Sequence, residues 1–415
     1  MQTVEIIAAA LFGVAVLHTF STKLFEHLAH RHPRHAGLLH LLGEVEVVFG
    51  FWATVLVAAM GVAAGSAAAI EYAETRKYTE PLCVFVVMVV AASRPGLEAI
   101  RALVVFIARR MPVRMAVAEV WLCFAVVPLL GSLVTEPAAM TLAALILAPL
   151  VFRPGLPERL KYVALGVLFV NISVGGTLTS FAAPPVLIVA ATWNWDSAFM
   201  LANFGWKAAI AVLVNATGIV FLLGRHLPDS AASPVASESR VPVAVTAIHL
   251  AFLVAVVAFA HHPVIFLGLF LLFLGFTQAY ARHQSPLLLK EALLVGFFLA
   301  GLVVLGGLQQ WWLQPLISGL QPLALFFGAL GLTAIADNAA LTYLGSLIEG
   351  MTEPAKYMLV AGAVAGGGLT VIANAPNPAG VALLRKGFDE GSIGALGLLL
   401  GALPPTVVAA AMFLV

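Results

Sequence analysis

The sequence predicts an all-α membrane protein built as an inverted repeat. It has about ten transmembrane helices, two re-entrant helical hairpins and two broken helices. Three observations predict this. The 415-residue chain is 62% hydrophobic and 10% charged, with a mean hydropathy of +1.04, whereas soluble domains are about 45–50% apolar and about 25% charged. Apolar runs fill nearly the whole chain, but Gly, Pro and acids interrupt several of them. The interruptions recur in the same order in two halves.

Composition also excludes. A net charge of +1 argues against nucleic acid as a partner. Cys83 and Cys123 sit inside apolar runs, so no disulfide framework is indicated. No soluble domain and no cofactor are expected. The first residues, MQTVEIIAAALFGVAVL, carry Glu5 and no basic n-region, which reads as a retained helix, not a cleaved signal peptide. The Ala/Gly/Leu/Val-heavy composition suits a bacterial inner membrane.

The first half, 1–224, opens with crossings at 3–20, 45–70 and 81–108. Runs 115–133 and 137–152 are a pair of shorter runs, of the kind that suggests re-entrant segments. They are interrupted at Thr135-Glu136-Pro137 and read as one hairpin, 115–152, that leaves on the side it entered. The run 160–195 is broken by NISVGGTLTSFAAPP at 171–185, since Gly and Pro punctuate helices. The run 201–224 closes the half. A polar linker, 225–241, leads to the second half, 242–415, with crossings at 242–260, 263–280 and 286–307. A second hairpin, 321–350, is interrupted at Asp337-Asn338. The run 356–386 is broken by GGGLTVIANAPNP at 366–378, and 391–413 is the last crossing.

Positive charge tests the count. With both termini on the periplasmic side, fifteen of the 21 Lys+Arg fall inside: Lys23, Arg31, Arg34, Arg109, Arg110, Arg114, Arg153, Arg159, Lys161, Arg225, Arg240, Arg282, Lys290, Arg385 and Lys386. Arg76, Lys77 and Lys356 fall outside. This follows the positive-inside rule and would collapse if either hairpin spanned the bilayer. EPAAMTL (136–142) matches DNAALTY (337–343), and GGTLTSFAAPP (175–185) echoes GGLTVIANAPNP (367–378). Five crossings per half put the halves in opposite orientations, the layout of secondary transporters with a midplane site between broken helices.

Glu136 and Asp337 each begin the second arm of a hairpin. Either could simply cap its helix. Burying an ionisable group in a bilayer costs at least about 2.5–3.5 kcal/mol, however, and Ser or Thr could cap without that cost. Two pseudo-symmetric carboxylates therefore read as cation ligands. Oxygen donors surround them: Thr135, Thr141, Asn338 and Thr342 at the hairpins, Asn171, Ser173, Thr177, Thr179 and Ser180 at the first break, and Thr370, Asn374 and Asn377 at the second. Hard cations want such oxygens, although the same groups can also re-satisfy backbone freed at the breaks. Lys207 either compensates a site carboxylate or snorkels to the interface. Arg94, Glu98 and Arg101 are spaced to pair along one helix face. His18 to His40 carries six of the eleven histidines. It reads as a basic amphipathic surface segment, with metal binding and a pH response as other readings.

The motifs TEPAAMT, ADNAALT, GGTLTS and NAPNP resemble those of the ion transporter superfamily over nearly the whole chain. The branch they resemble most is the NhaD-like sodium/proton antiporters; arsenite permeases and dicarboxylate/sodium symporters are more distant. The resemblance implies binding by Thr135, Glu136, Thr179, Ser180, Asp337, Asn338, Asn374 and Asn377, and it implies an elevator-like motion and a homodimer. Acids at both tips, where the dicarboxylate symporters carry Ser-Asn-Thr signatures, favour a cation. The expectation is a secondary Na⁺(Li⁺)/H⁺ antiporter in which cation and proton compete for buried carboxylates. The alternative is an anion or organic-acid permease, which needs positive charge or helix N-termini at the site and would be favoured by a site-facing Lys207. An intramembrane enzyme fits least, because its acid pair would sit on intact facing helices.

Overall fold

The computed structural model describes residues 2–228 and 241–415. Arg240 and most of the 225–241 linker lie outside the described residues. Among those described, the chain is helical throughout with no strand.

Helix α1 (Gln2–Phe20) runs into two short helices, α2 (Thr22–Arg31) and α3 (Ala36–Gly43), and then α4 (Val45–Ala64). Gly65 takes a φ of +93°, which glycine adopts without a Cβ clash, so the 45–70 run turns there into α5 (Ser66–Glu74). The 81–108 run is not one rod. It divides into α6 (Thr79–Ala91) and α7 (Arg94–Ala108), bent by 64° at a Ser-Arg-Pro-Gly stretch.

The first expected hairpin comprises α8 (Met115–Phe124), α9 (Val126–Val134) and α10 (Glu136–Leu150). Its first arm carries an unforeseen 44° bend between α8 and α9. The first broken run is α11 (Glu158–Gly175), a 3₁₀ turn and extended chain, then α12 (Pro184–Trp193). Helix α13 (Ser197–Met200) passes through a π-turn into α14 (Trp206–Leu223).

After the linker come α15 (Val243–Ala258), α16 (Pro263–Ala279), α17 (Leu289–Gly306) and the short α18 (Gln310–Ile317). The second hairpin is α19 (Pro322–Thr333) and α20 (Asn338–Ser346). The second broken run is α21 (Glu353–Gly366) and α22 (Asn377–Leu384), and α23 (Ala395–Phe413) is last. Pro137, Pro184 and Pro378 each lie in the first turn of the helix that restarts after an interruption, where a missing N–H removes no helical bond.

By length and apolar character six helices can cross a membrane, or up to eight if each bent pair is one span. This makes a multi-pass membrane protein in which six to eight of the ten expected crossings meet that test among the described residues. The apolar α15 and α16, at 16 and 17 residues, fall just short of spanning length. The interrupted elements lie together: α10 packs on α22, α12 on α20, and α11 on α9, α21 and α23.

Candidate functional site

The first hairpin tip is a strained turn. Thr135, buried at 3% exposure, takes a φ of +80°, a region that a β-branched residue visits only when its surroundings impose it. Its hydroxyl makes no cap to α10. Glu136, the next residue, is fully buried. Its Oε2 accepts a hydrogen bond from Asn374 Nδ2 at 2.8 Å. Its Oε1 lies over the backbone of Gly176, where any Cβ would collide with it. That close approach requires glycine at the first break.

The second tip is built differently. Asp337 is only half-buried and caps α20: its Oδ1 accepts from Ala339 N at 2.8 Å and Ala340 N at 3.1 Å. Asn338 is fully buried and donates from Nδ2 toward Ser173 Oγ at 3.5 Å. Gly367 fits against both of these side chains. Asn377 Nδ2 donates to the carbonyls of Gly367 (2.8 Å) and Thr370 (2.9 Å). Asp337 and Glu136 lie within electrostatic reach of each other.

Among the described residues, ten buried side-chain N or O atoms lack a hydrogen-bond partner. Five belong to this network, and all five are oxygens: Thr135 Oγ1, Glu136 Oε1, Asn338 Oδ1, Asn374 Oδ1 and Asn377 Oδ1. Each asparagine amide nitrogen already faces an oxygen acceptor, which fixes the direction of its carbonyl oxygen. A bare buried acceptor costs about 1–3 kcal/mol. Bare oxygens are the donor type that a hard, oxygen-seeking cation takes, and the Glu136–Asn374 pair brings two of them together.

A family model described as "Putative Na+/H+ antiporter" matches residues 3–415. The chain belongs to this family. It is therefore a transporter of the cation/proton antiporter kind, in agreement with the sequence motifs. No curated protein matches the chain closely enough to add a second comparison.

Not every expected site residue of the antiporter carries a bare oxygen. Thr179 donates to Ser132 O at 2.6 Å, and Ser180 pairs with Ser197 at 3.2 Å. Thr141, Thr177, Thr342 and Thr370 donate to nearby carbonyls, and Ser173 to Val364 O. Asn171 bridges the carbonyls of Phe124 and Val212 and accepts from Asn215. These groups re-satisfy backbone around the breaks. Lys207 donates to Tyr357 OH at 2.8 Å, and that hydroxyl donates to Phe413 O. Its partners thus lie on α21 and α23, not at the tips. Arg94 pairs with Glu98 at 2.7 Å along α7, as the spacing suggested.

Two residues escaped the sequence reading. Ser132 donates to Gly175 O at 2.6 Å and accepts from Leu178 N at 2.9 Å, tying the first hairpin to the first break. Its place one helical turn before Glu136 was the available signal. Glu46, half-buried in the first turn of α4, lies within electrostatic reach of Asp337. An acid in a first turn is ordinary, so nothing marked it. A cavity of about 350 Å³ lies between α6, α12, α17 and α20, lined among others by Arg76, Lys77, Glu80, Thr192, Tyr343 and Ser346. Among the described residues no group of three or more His, Cys, Asp or Glu side chains could hold a metal ion, the segment from His18 to His40 included.

Proposed function

We propose that the chain exchanges Na⁺, and Li⁺ by the same chemistry, for H⁺ at the network joining the first hairpin tip to the second break. The observation that carries this reading is the set of five buried, unpartnered oxygens at the two tips and the second break, Glu136 among them. Glu136 is the principal ligand. Asn374 holds one carboxylate oxygen through a single hydrogen bond and leaves the other free. Cation and proton compete for that oxygen, and the competition couples their movements. Asp337 supplies a second negative charge within reach.

The packing supports an inverted repeat. The second arm of each hairpin lies against the post-break helix of the other half, α10 on α22 and α20 on α12, the reciprocal exchange a pseudo-two-fold axis produces. On this reading the two halves run 1–224 and 242–415, with ten crossings, and α15 and α16 complete the count. Tips and breaks move against the remaining helices in an elevator-like motion within a homodimer in the bacterial inner membrane, both termini periplasmic. The cavity between α12 and α20 is the water-filled approach to the site.

Reconstitution into liposomes holding a pH-sensitive dye tests the reading. Adding Na⁺ or Li⁺ is expected to move protons, with half-saturation rising as the medium is acidified. Sodium-independent proton flux, or none at all, overturns it. Lys207 is bonded to Tyr357, so the site-facing lysine that would favour the anion-permease alternative is not found at the tips.

A further inference from the structure

The one histidine-rich stretch of the chain stands apart from the ion site, and its position is forced. Helices α1 and α4 are both long and apolar enough to cross the membrane. Only Ser21 separates α1 from α2, and only Glu44 separates α3 from α4. At 10 and 8 residues, α2 and α3 are too short to cross, since about 20 are needed. They pack on each other as a hairpin between two helices of membrane-crossing length, a placement that suits the level of the lipid headgroups. The exposed arginine and histidine side chains there are His27, His30, Arg31, His32, Arg34, His35 and His40. Leu24, Leu38 and Leu41 of the same hairpin are also exposed, at 57%, 57% and 44%. Residues 27–43 contain no Asp or Glu.

We infer that the α2–α3 hairpin is a docking surface for anionic phospholipid headgroups, and that it holds them more tightly as the pH falls. The leucines enter the acyl boundary while the cations meet lipid phosphates, the arrangement of interfacial amphipathic helices. Two arginines keep their charge at any working pH. Histidine as a side-chain type gains charge between about pH 8 and pH 5, and five are exposed on this hairpin. The His30 and His40 rings stand 6.1 Å apart, and an anion between α2 and α3 offsets their repulsion when both are charged. Of the neighbouring charged and titratable groups, His18 lies on α1, and Glu44 and Glu46 stand at the start of α4, where Glu44 meets Lys290 of α17. His18 is buried with both ring nitrogens bonded, to Leu42 O and Trp52 Nε1, and Glu44 pairs with Lys290 at 3.4 Å.

A readout separate from ion flux tests this. A Cβ on Gly37 meets open space, so Gly37→Cys carries an environment-sensitive dye, with the parent chain as labelling control for the buried Cys83 and Cys123. The full-length protein goes into phosphatidylcholine vesicles with or without phosphatidylglycerol. The dye is expected to shift to the blue when phosphatidylglycerol is present, and further at about pH 6 than at about pH 8. Replacing the five exposed histidines by Gln should remove the pH-dependent part, and Arg31→Gln with Arg34→Gln the remainder. Identical spectra in the two vesicle types overturn the inference. So does the same shift with inorganic phosphate in phosphatidylcholine vesicles, which would make the surface a free-phosphate site.

Discussion

At the first hairpin tip a threonine with a φ of +80° delivers Glu136 into the protein interior, where one carboxylate oxygen has a donor and the other has none. At the second, Asp337 stands at φ −67° and ψ 140° and turns back to bind two amides of its own helix. The sequences around these acids match, and helix capping is an equally good bland reading for both. It holds for Asp337 only. Aspartate is short and sits at the N-cap position, from which it reaches the second and third amides. Glu136 is already the first residue of α10, and Pro137 behind it has no N–H to offer. Its longer side chain leaves the helix end and crosses to Asn374 in the other half. Matching sequence around the two acids therefore does not give them matching geometry.

The comparison breaks most decisively at Glu136. Glu136→Gln is expected to reduce sodium-driven proton flux to that of protein-free liposomes, because the amide keeps the shape but cannot exchange a proton. Asn374→Ala removes a hydrogen bond to a charged group, worth about 1.5–3 kcal/mol. Half-saturation for Na⁺ should then rise roughly ten-fold or more, with folding retained in a thermal unfolding assay. Asp337 separates cap from ligand. Asp337→Asn preserves the cap and should leave the unfolding temperature unchanged, while Asp337→Ala should cost about 0.5–2 kcal/mol; both should lower the flux without abolishing it. Complete loss of flux in a stable Asp337→Asn protein would make the two tips equivalent after all. Thr135→Gly relieves a backbone strain of about 1–3 kcal/mol, so stability should hold or rise while sodium affinity weakens a few-fold. Least affected should be Lys207→Gln, with flux unchanged; a strong loss there would return Lys207 to the site.

Much of the architecture was legible because its signals are local. The tips fell where Thr135-Glu136-Pro137 and Asp337-Asn338 place them, and both breaks fell inside the Gly- and Pro-containing stretches. The bends at 92–93 and at Ala125 were missed, since each lies in a run whose apolar character continues across it. Of the eight residues grouped at the site, five carry a bare buried oxygen, whereas Thr179, Ser180 and Asp337 are engaged with neighbouring protein groups.

By itself the sequence determined the membrane class, the positions of the interruptions and the oxygen-rich chemistry at them. These depend on composition and on what Gly, Pro and acids do to their own stretch of helix. Only the tertiary structure decided which oxygens are used up and which stay bare. Glu136 and Asn374 are 238 residues apart and meet because α10 packs on α22. Lys207 is drawn to Tyr357 because α14 runs beside the end of α23, and no local pattern around either residue specifies a partner that packing supplies.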